Sequence, residues 1–299
     1  MRDEMERRRF LTLLLGGLLV PIGSRPVLGR LPGERPRTAL RIAAASSLKF
    51  ALERIIRTFE TENESIGIST SYGASGAIYA QLRHGAPFDL FLSADTLYPK
   101  RLIEGGYALG DHPFVYAQGR LCLWVSNSIT AKSDHGPSLQ ALSERLNHED
   151  RSPHAEATKM PDWGDLLDTR IQRIAIANPK LAPYGVAAVE SLKKAGIYDE
   201  VENRLAYGES VAQAVSFVRS GAAQAGLFAL ALALSPGMNK RGAFREIDAS
   251  YFSPILHSGV ILKRTQAPEA ALRFLAWMRG PRGQDLIEEG GFGPVRETP

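Results

Sequence analysis

From residue 41 onward, short apolar runs alternate with amphipathic helical stretches, and that alternation restricts the chain to an α/β architecture. Residues 41–45 have the length and apolarity of a buried strand. The stretch that follows carries Leu52, Ile55, Ile56 and Phe59 at the i, i+3, i+4, i+7 spacing of one helix face. Residues 66–72 read as the next strand, 77–84 as a helix closed by Gly85 and Pro87, and 89–93 as a third strand. Strands joined through helices run parallel with right-handed crossovers, and the ligand site of such a sheet lies at the carboxyl ends of its strands.

The same grammar restarts after Arg120. A strand is expected at 121–125, helical material near 138–147, a strand at 173–177, and a helix at 186–195 with Val186, Val189 and Leu192 on one face. A further helix begins at Glu209-Ser210-Val211, repeats Val211, Val215 and Val218, and ends at Gly221 before a strand at 225–229. The tail, a strand at 255–262 and helices at 270–279 and 283–289, is too small to fold alone and is expected to return to the first unit. The chain therefore divides into a leader (1–30), a linker (31–38), a first lobe (39–118), a second lobe (119–247) and a return to the first lobe (248–299). Two α/β lobes joined by crossing strands form a cleft that can close around a ligand.

Three strand-to-helix turns share a chemistry. Ala45-Ser46-Ser47-Leu48, Gly73-Ala74-Ser75-Gly76 and Ala182-Pro183-Tyr184-Gly185 put serines or free amides where a helix begins. A helix N-terminus offers unpaired N–H groups and partial positive charge, so several of them on one cleft suit an oxyanion. A buried tetrahedral dianion needs each oxygen hydrogen-bonded. The hydroxyls and amides of Ser46, Ser47 and Ser75 and the amides near Tyr184 and Val211 are neutral donors for that task, and Lys180 is the cation within these turns, with Lys49 just beyond the first. The competing reading is that each serine only caps its helix, worth about 1 kcal/mol.

Other signals are weaker. The formal net charge is +4, but residues 1–30 hold six arginines against three acids, which leaves +1 for the remainder. No basic stripe with interleaved aromatics remains for nucleic acid. Arg7-Arg8-Arg9-Phe10-Leu11 before an apolar run to Ile22 reads as an export signal, and the Arg-Arg-x-Phe-Leu order also matches a twin-arginine signal. The single cysteine, Cys122, forms no internal disulfide and lies far from the position where a lipid would be attached. Gly73-Ala74-Ser75-Gly76 misses the G-x-S-x-G elbow of a serine hydrolase, and His84 stands at the far end of the helix after Ser75. Asp89 and Asp95 are read as structural in preference to an acid/base pair, and His148, Glu149, Asp150, His154 and Glu156 as a solvated loop in preference to a metal site.

The sequence resembles the periplasmic molybdate-binding proteins of ABC importers, within the type II periplasmic binding proteins. The likeness runs from about residue 40 to 295. It rests on Ala43-Ala44-Ala45-Ser46-Ser47-Leu48, Tyr72-Gly73-Ala74-Ser75-Gly76-Ala77, Gly85-Ala86-Pro87-Phe88-Asp89-Leu90-Phe91-Leu92-Ser93-Ala94-Asp95, Gly119-Arg120-Leu121, Asn178-Pro179-Lys180-Leu181-Ala182-Pro183-Tyr184-Gly185 and Gly291-Phe292-Gly293-Pro294. It implies a two-lobed fold with a mainly parallel sheet in each lobe, and a monomeric periplasmic receptor without catalytic activity or cofactor. That receptor would hold molybdate or tungstate and deliver it to a membrane permease. Matched motif by motif, it nominates Ser46, Ser47, Ser75, Tyr184 and Val211 as oxyanion ligands. Some relatives use a tyrosine hydroxyl in the segment equivalent to Gly226-Leu227-Phe228-Ala229, which has none here, so Tyr184 is left to act through its amide, its hydroxyl or both. A receptor for sulfate or another tetrahedral oxyanion is the alternative of the same class, and a hydrolase using Ser75 the alternative of another.

Overall fold

The computed structural model describes residues 37–130 and 160–295. The leader, the helix expected near 138–147 and the acid and histidine cluster from His148 to Glu156 lie outside the described residues.

The first unit opens with β1 (Thr38–Ala45), a 3₁₀ turn at Ser46–Leu48 and α1 (Lys49–Glu62). Leu52, Ile55, Ile56 and Phe59 are buried on α1 as their spacing requires, joined by Ala51. β2 (Ile66–Gly73), α2 (Ser75–Arg83), β3 (Leu90–Ser93) and α3 (Leu97–Glu104) follow. The chain then crosses between sheets through β4 (Phe114–Gly119) and β5 (Leu121–Ser126), which are separated by Arg120 alone. The second unit continues with β6 (Ile174–Ala177), α4 (Pro183–Lys194), β7 (Leu205–Gly208), α5 (Val211–Ser220), β8 (Ala225–Ala229), the short α6 (Leu230–Ala233) and β9 (Gly242–Glu246). A second crossing leads to β10 (Ile255–Ile261), α7 (Pro268–Arg279) and α8 (Pro281–Glu289).

Two five-stranded sheets result, in the orders β2-β1-β3-β10-β4 and β7-β6-β8-β5-β9. In the first, β1 runs parallel to β2 and β3, and β10 lies antiparallel between β3 and β4. In the second, β6 runs parallel to β7 and β8, and β5 lies antiparallel between β8 and β9. Four strands of each sheet thus point one way, and the strand that opposes them follows a crossing. In the first sheet β10 is an inner strand, and α7 packs on α1, where Phe59 and Phe274 meet edge to face with ring centroids 5.1 Å apart. A fully buried side chain of this size contributes about 1.5–3 kcal/mol, so the last segment is part of the first core.

The helix expected at 186–195 starts three residues earlier, because Pro183 occupies its first turn, where a missing N–H costs nothing. Its buried face carries Tyr184, Ala187, Ala188, Ser191 and Leu192, and Val186 is exposed, contrary to its expected place in the core. β4, β7, β9 and α3 escaped the pattern reading. They are short or flank the crossings, where partner strands rather than local periodicity decide the structure.

Candidate functional site

The candidate site is built at the carboxyl ends of strands from both sheets. In the first, Ala45 pairs with Gly73, so the turn holding Ser46 and Ser47 and the turn holding Ser75 leave adjacent strands side by side. All three serines are buried. Ser75 opens α2, and its Oγ accepts the N–H of Ala94, just past β3, at 3.0 Å. That bond orients the hydroxyl and leaves its proton available as a donor. Ser47 Oγ is buried and has no hydrogen-bond partner within the protein.

In the second sheet Ala177 pairs with Gly208, which sets the turns after β6 and β7 side by side as well. Asn178 shapes the first of them: its Oδ1 accepts the N–H of Lys180 at 3.0 Å, and its carbonyl accepts those of Leu181 and Ala182. Gly185 is required there, since a Cβ would lie 2.2 Å from the carbonyl oxygen of Ala177. The N–H of Tyr184, in the first turn of α4, has no acceptor inside the helix. At the other turn Ser210 caps α5 by accepting the N–H of Gln213 at 3.3 Å, and Val211, buried, is its first helical residue.

Two hydrogen bonds join these turns across the lobes. Ser46 Oγ accepts the N–H of Ala212, in the first turn of α5, at 3.2 Å. The N–H of Gly76 donates to the carbonyl of Leu181 at 3.0 Å. The close approach depends on glycine, because a Cβ at Gly76 would stand 2.6 Å from the Tyr98 hydroxyl and 3.2 Å from Leu181 O. The structure therefore brings Ser46, Ser47 and Ser75 of one lobe against the helix starts that carry Tyr184 and Val211 of the other. A cavity of about 290 Å³ lies beside this junction, walled by Asp95, Tyr98, Val186, Glu190 and Ile255, and includes none of the five nominated residues. Ala94, Ala182 and Pro183, from the same turns, line this groove as well.

The Tyr184 hydroxyl points elsewhere. It is hydrogen-bonded to Nε2 of His257 at 3.2 Å, deep under the crossing strands, and burial pushes its pKa well above the usual phenol range. Its amide is the group left to face an anion. Lys49 and Lys180 are both exposed, so the buried turns hold no lysine ammonium.

The weaker candidates fall apart in three dimensions. Asp89 and Asp95 sit at opposite ends of β3. Burial raises the pKa of Asp89, but the side chain and N–H of Arg41 and the hydroxyl of Thr265 outweigh it and hold the carboxyl below its ordinary value. Burial pushes Asp95 upward, against the N–H of Tyr98 and the hydroxyl of Ser93 that its Oδ1 accepts. His84 is exposed at the far end of α2, about 13.5 Å along the helix from Ser75. Cys122 is buried in β5, where desolvation drives its thiol pKa upward. Among the described residues no group of three or more His, Cys, Asp or Glu side chains is arranged to hold a metal ion.

Sequence reasoning missed the groups that orient the site: Ala94, Ala212, Leu181 and His257. Ala94 and Leu181 lie inside motifs already singled out, but a backbone group is no signal in a sequence. His257 stood alone in an apolar strand.

A two-lobed α/β binding protein is the class that these two sheets and their crossings define. The chain belongs to the bacterial extracellular solute-binding proteins, matching that family over residues 40–293. Among them it is similar to the molybdate-binding protein ModA of Rhodobacter capsulatus, 30% identical over 86% of this chain and 90% of that protein. ModA of Azotobacter vinelandii is 29% identical over 93% of this chain and 98% of its own length. The solved periplasmic molybdate-binding protein of Azotobacter vinelandii superposes with a TM-score of 0.71 at 30% identity, covering 86% of this chain and all of that one. The sulfate-binding protein SubI of Mycobacterium tuberculosis shares the fold, with a TM-score of 0.64 at 14% identity over 87% of this chain and 88% of its own.

Proposed function

We propose that this protein captures molybdate between its lobes and delivers it to the permease of an ABC importer. One observation carries the reading: the two serine turns of one lobe meet the helix starts of the other, Ser46 Oγ accepting the N–H of Ala212 in the first turn of α5 and Gly76, beside Ser75, donating to Leu181 just before α4. Ser46 and Ser75 each accept a backbone N–H, so each keeps its own proton to donate. Asp95, the carboxylate next to Ala94, has Oδ1 engaged by Ser93 and Tyr98. Hydroxyl and amide donors with no carboxylate among the nominated residues favour a fully deprotonated dianion over one that carries a proton. That chemistry supports molybdate and tungstate and disfavours phosphate, and the similarity to ModA proteins supports molybdate.

In this reading the oxyanion ligands are Ser46, Ser47, Ser75, Tyr184 through its amide, and Val211. Residues 39–118 and 248–299 form one lobe and 119–247 the other. The protein is a monomer exported to the periplasm by residues 1–30, acts on no substrate, and uses no cofactor. Calorimetric titration with molybdate, tungstate, sulfate and phosphate tests it. Tight binding of the first two with weak binding of sulfate and none of phosphate is expected, and sulfate bound as tightly as molybdate would make this a general oxyanion receptor.

A further inference from the structure

Tyr184 does two things at once. Its amide belongs to the first turn of α4 in the second lobe, and its hydroxyl ends against the first lobe, 3.2 Å from Nε2 of His257 in β10. His257 is fully buried and pairs with Ala117 of β4, one strand from the point where the chain crosses between lobes. The Tyr184 hydroxyl occupies the space that a side chain at Gly119 would need, since a Cβ there would lie 2.6 Å from it and 2.8 Å from Ile255 Cγ2. Gly119 ends β4 and Ile255 begins β10, so the hydroxyl is seated against both crossings. Rings of Tyr116, Tyr184 and Phe292 surround the imidazole at centroid distances of 6.0, 5.8 and 5.0 Å. Nothing in this arrangement lets the phenol swing away without opening a buried void or leaving a second imidazole nitrogen unpaired, Nδ1 being without a partner already.

We propose that His257 is a positioning residue: its hydrogen bond to the Tyr184 hydroxyl pins the second lobe's turn at the pivot and holds the Tyr184 N–H on the captured anion. The inference rests on the oxyanion-receptor reading above. Neither side chain touches the ligand in this scheme. They act because the ring of Tyr184 is packed too tightly to turn about its own side-chain bonds, so that freeing the phenol means displacing the helix start that carries the amide.

The test measures molybdate association and dissociation by stopped flow on the full chain, for wild type, Tyr184→Phe, His257→Leu, His257→Gln and Gly119→Ala, with thermal stability read alongside. Tyr184→Phe deletes one oxygen and keeps the ring, which guards against simple misfolding. Loss of one hydrogen bond predicts dissociation about three- to tenfold faster in Tyr184→Phe and His257→Leu, with association nearly unchanged. The double variant should be no worse than either single one. His257→Gln, whose amide can meet the hydroxyl, should recover most of the slow dissociation, and Gly119→Ala should mimic Tyr184→Phe. A structural role alone would lower the melting temperature and leave the dissociation rate at the wild-type value, and that result overturns the inference. Wild type that binds neither molybdate nor sulfate overturns the receptor reading, and this inference with it.

Discussion

Replacing Ser75 by Ala separates ligand binding from structural support, because the hydroxyl caps no helix and would donate to the ligand with the same oxygen that accepts a hydrogen bond for the fold. The hydroxyl is buried and accepts the Ala94 N–H at 3.0 Å. Deleting it leaves that N–H buried without an acceptor, which costs about 1–3 kcal/mol of folding stability. Helix propensity adds no penalty, since Ala is the best residue for the first turn of α2. On the ligand side one hydrogen bond to a charged group is lost, about 1.5–3 kcal/mol, which corresponds to roughly 10- to 150-fold in Kd. Urea denaturation of the ligand-free variant reads the first quantity and calorimetric titration with molybdate the second. Both should fall. A variant that loses stability but binds molybdate with wild-type affinity would show that the hydroxyl serves Ala94 alone, and the case for Ser75 as a ligand would be refuted.

Three further outcomes follow from the same geometry. Ser47→Ala should behave differently from Ser75→Ala: its Oγ has no partner in the protein, so stability should hold or rise by up to about 1 kcal/mol while molybdate affinity falls. Lower stability with unchanged affinity would remove Ser47 from the site. Desolvation lowers the His257 pKa to about 3 from an ordinary 6.5, so the unfolded chain binds a proton that the folded one refuses. Stability is then greatest above pH 6.5 and falls on acidification, by about 2 kcal/mol at pH 5, and His257→Gln should flatten that slope in urea melts taken from pH 7 to 5. Gly185→Ala would place a Cβ 2.2 Å from Ala177 O and 2.8 Å from the Pro179 nitrogen. Both obstacles are backbone, so the variant should lose about 3 kcal/mol and most of its molybdate affinity. A crystal structure with the turn unmoved would contradict this.

Much of the frame was legible because it is local. The spacing of Leu52, Ile55, Ile56 and Phe59 places α1's buried face, and Val211, Val215 and Val218 place α5's, with Gly221 ending it in the left-handed conformation at φ +80°. The strand at residues 225–229 and the alternation that makes β1, β2 and β3 parallel were readable in the same way. Where a neighbour outweighed the pattern, the reading slipped. Val186 has helical spacing with Val189, yet α4 packs through Tyr184, Ala187, Ala188, Ser191 and Leu192 and leaves Val186 in solvent. Tyr184 could be nominated from its turn, but the fate of its hydroxyl depended on a histidine 73 positions later.

Local pattern dictates most of the strands and helices, and puts serines and free amides at the helix starts. Periodicity and turn chemistry act over a few residues and are written in them. What those groups face is set by packing. The Ser46–Ala212 bond spans 166 positions and the Ser75–Ala94 bond 19. The insertion of β10 between β3 and β4 brings His257 under Tyr184. A hydrogen bond depends on distance and angle between two groups, and for groups far apart in the chain those are set by packing of the whole, which no local spacing encodes.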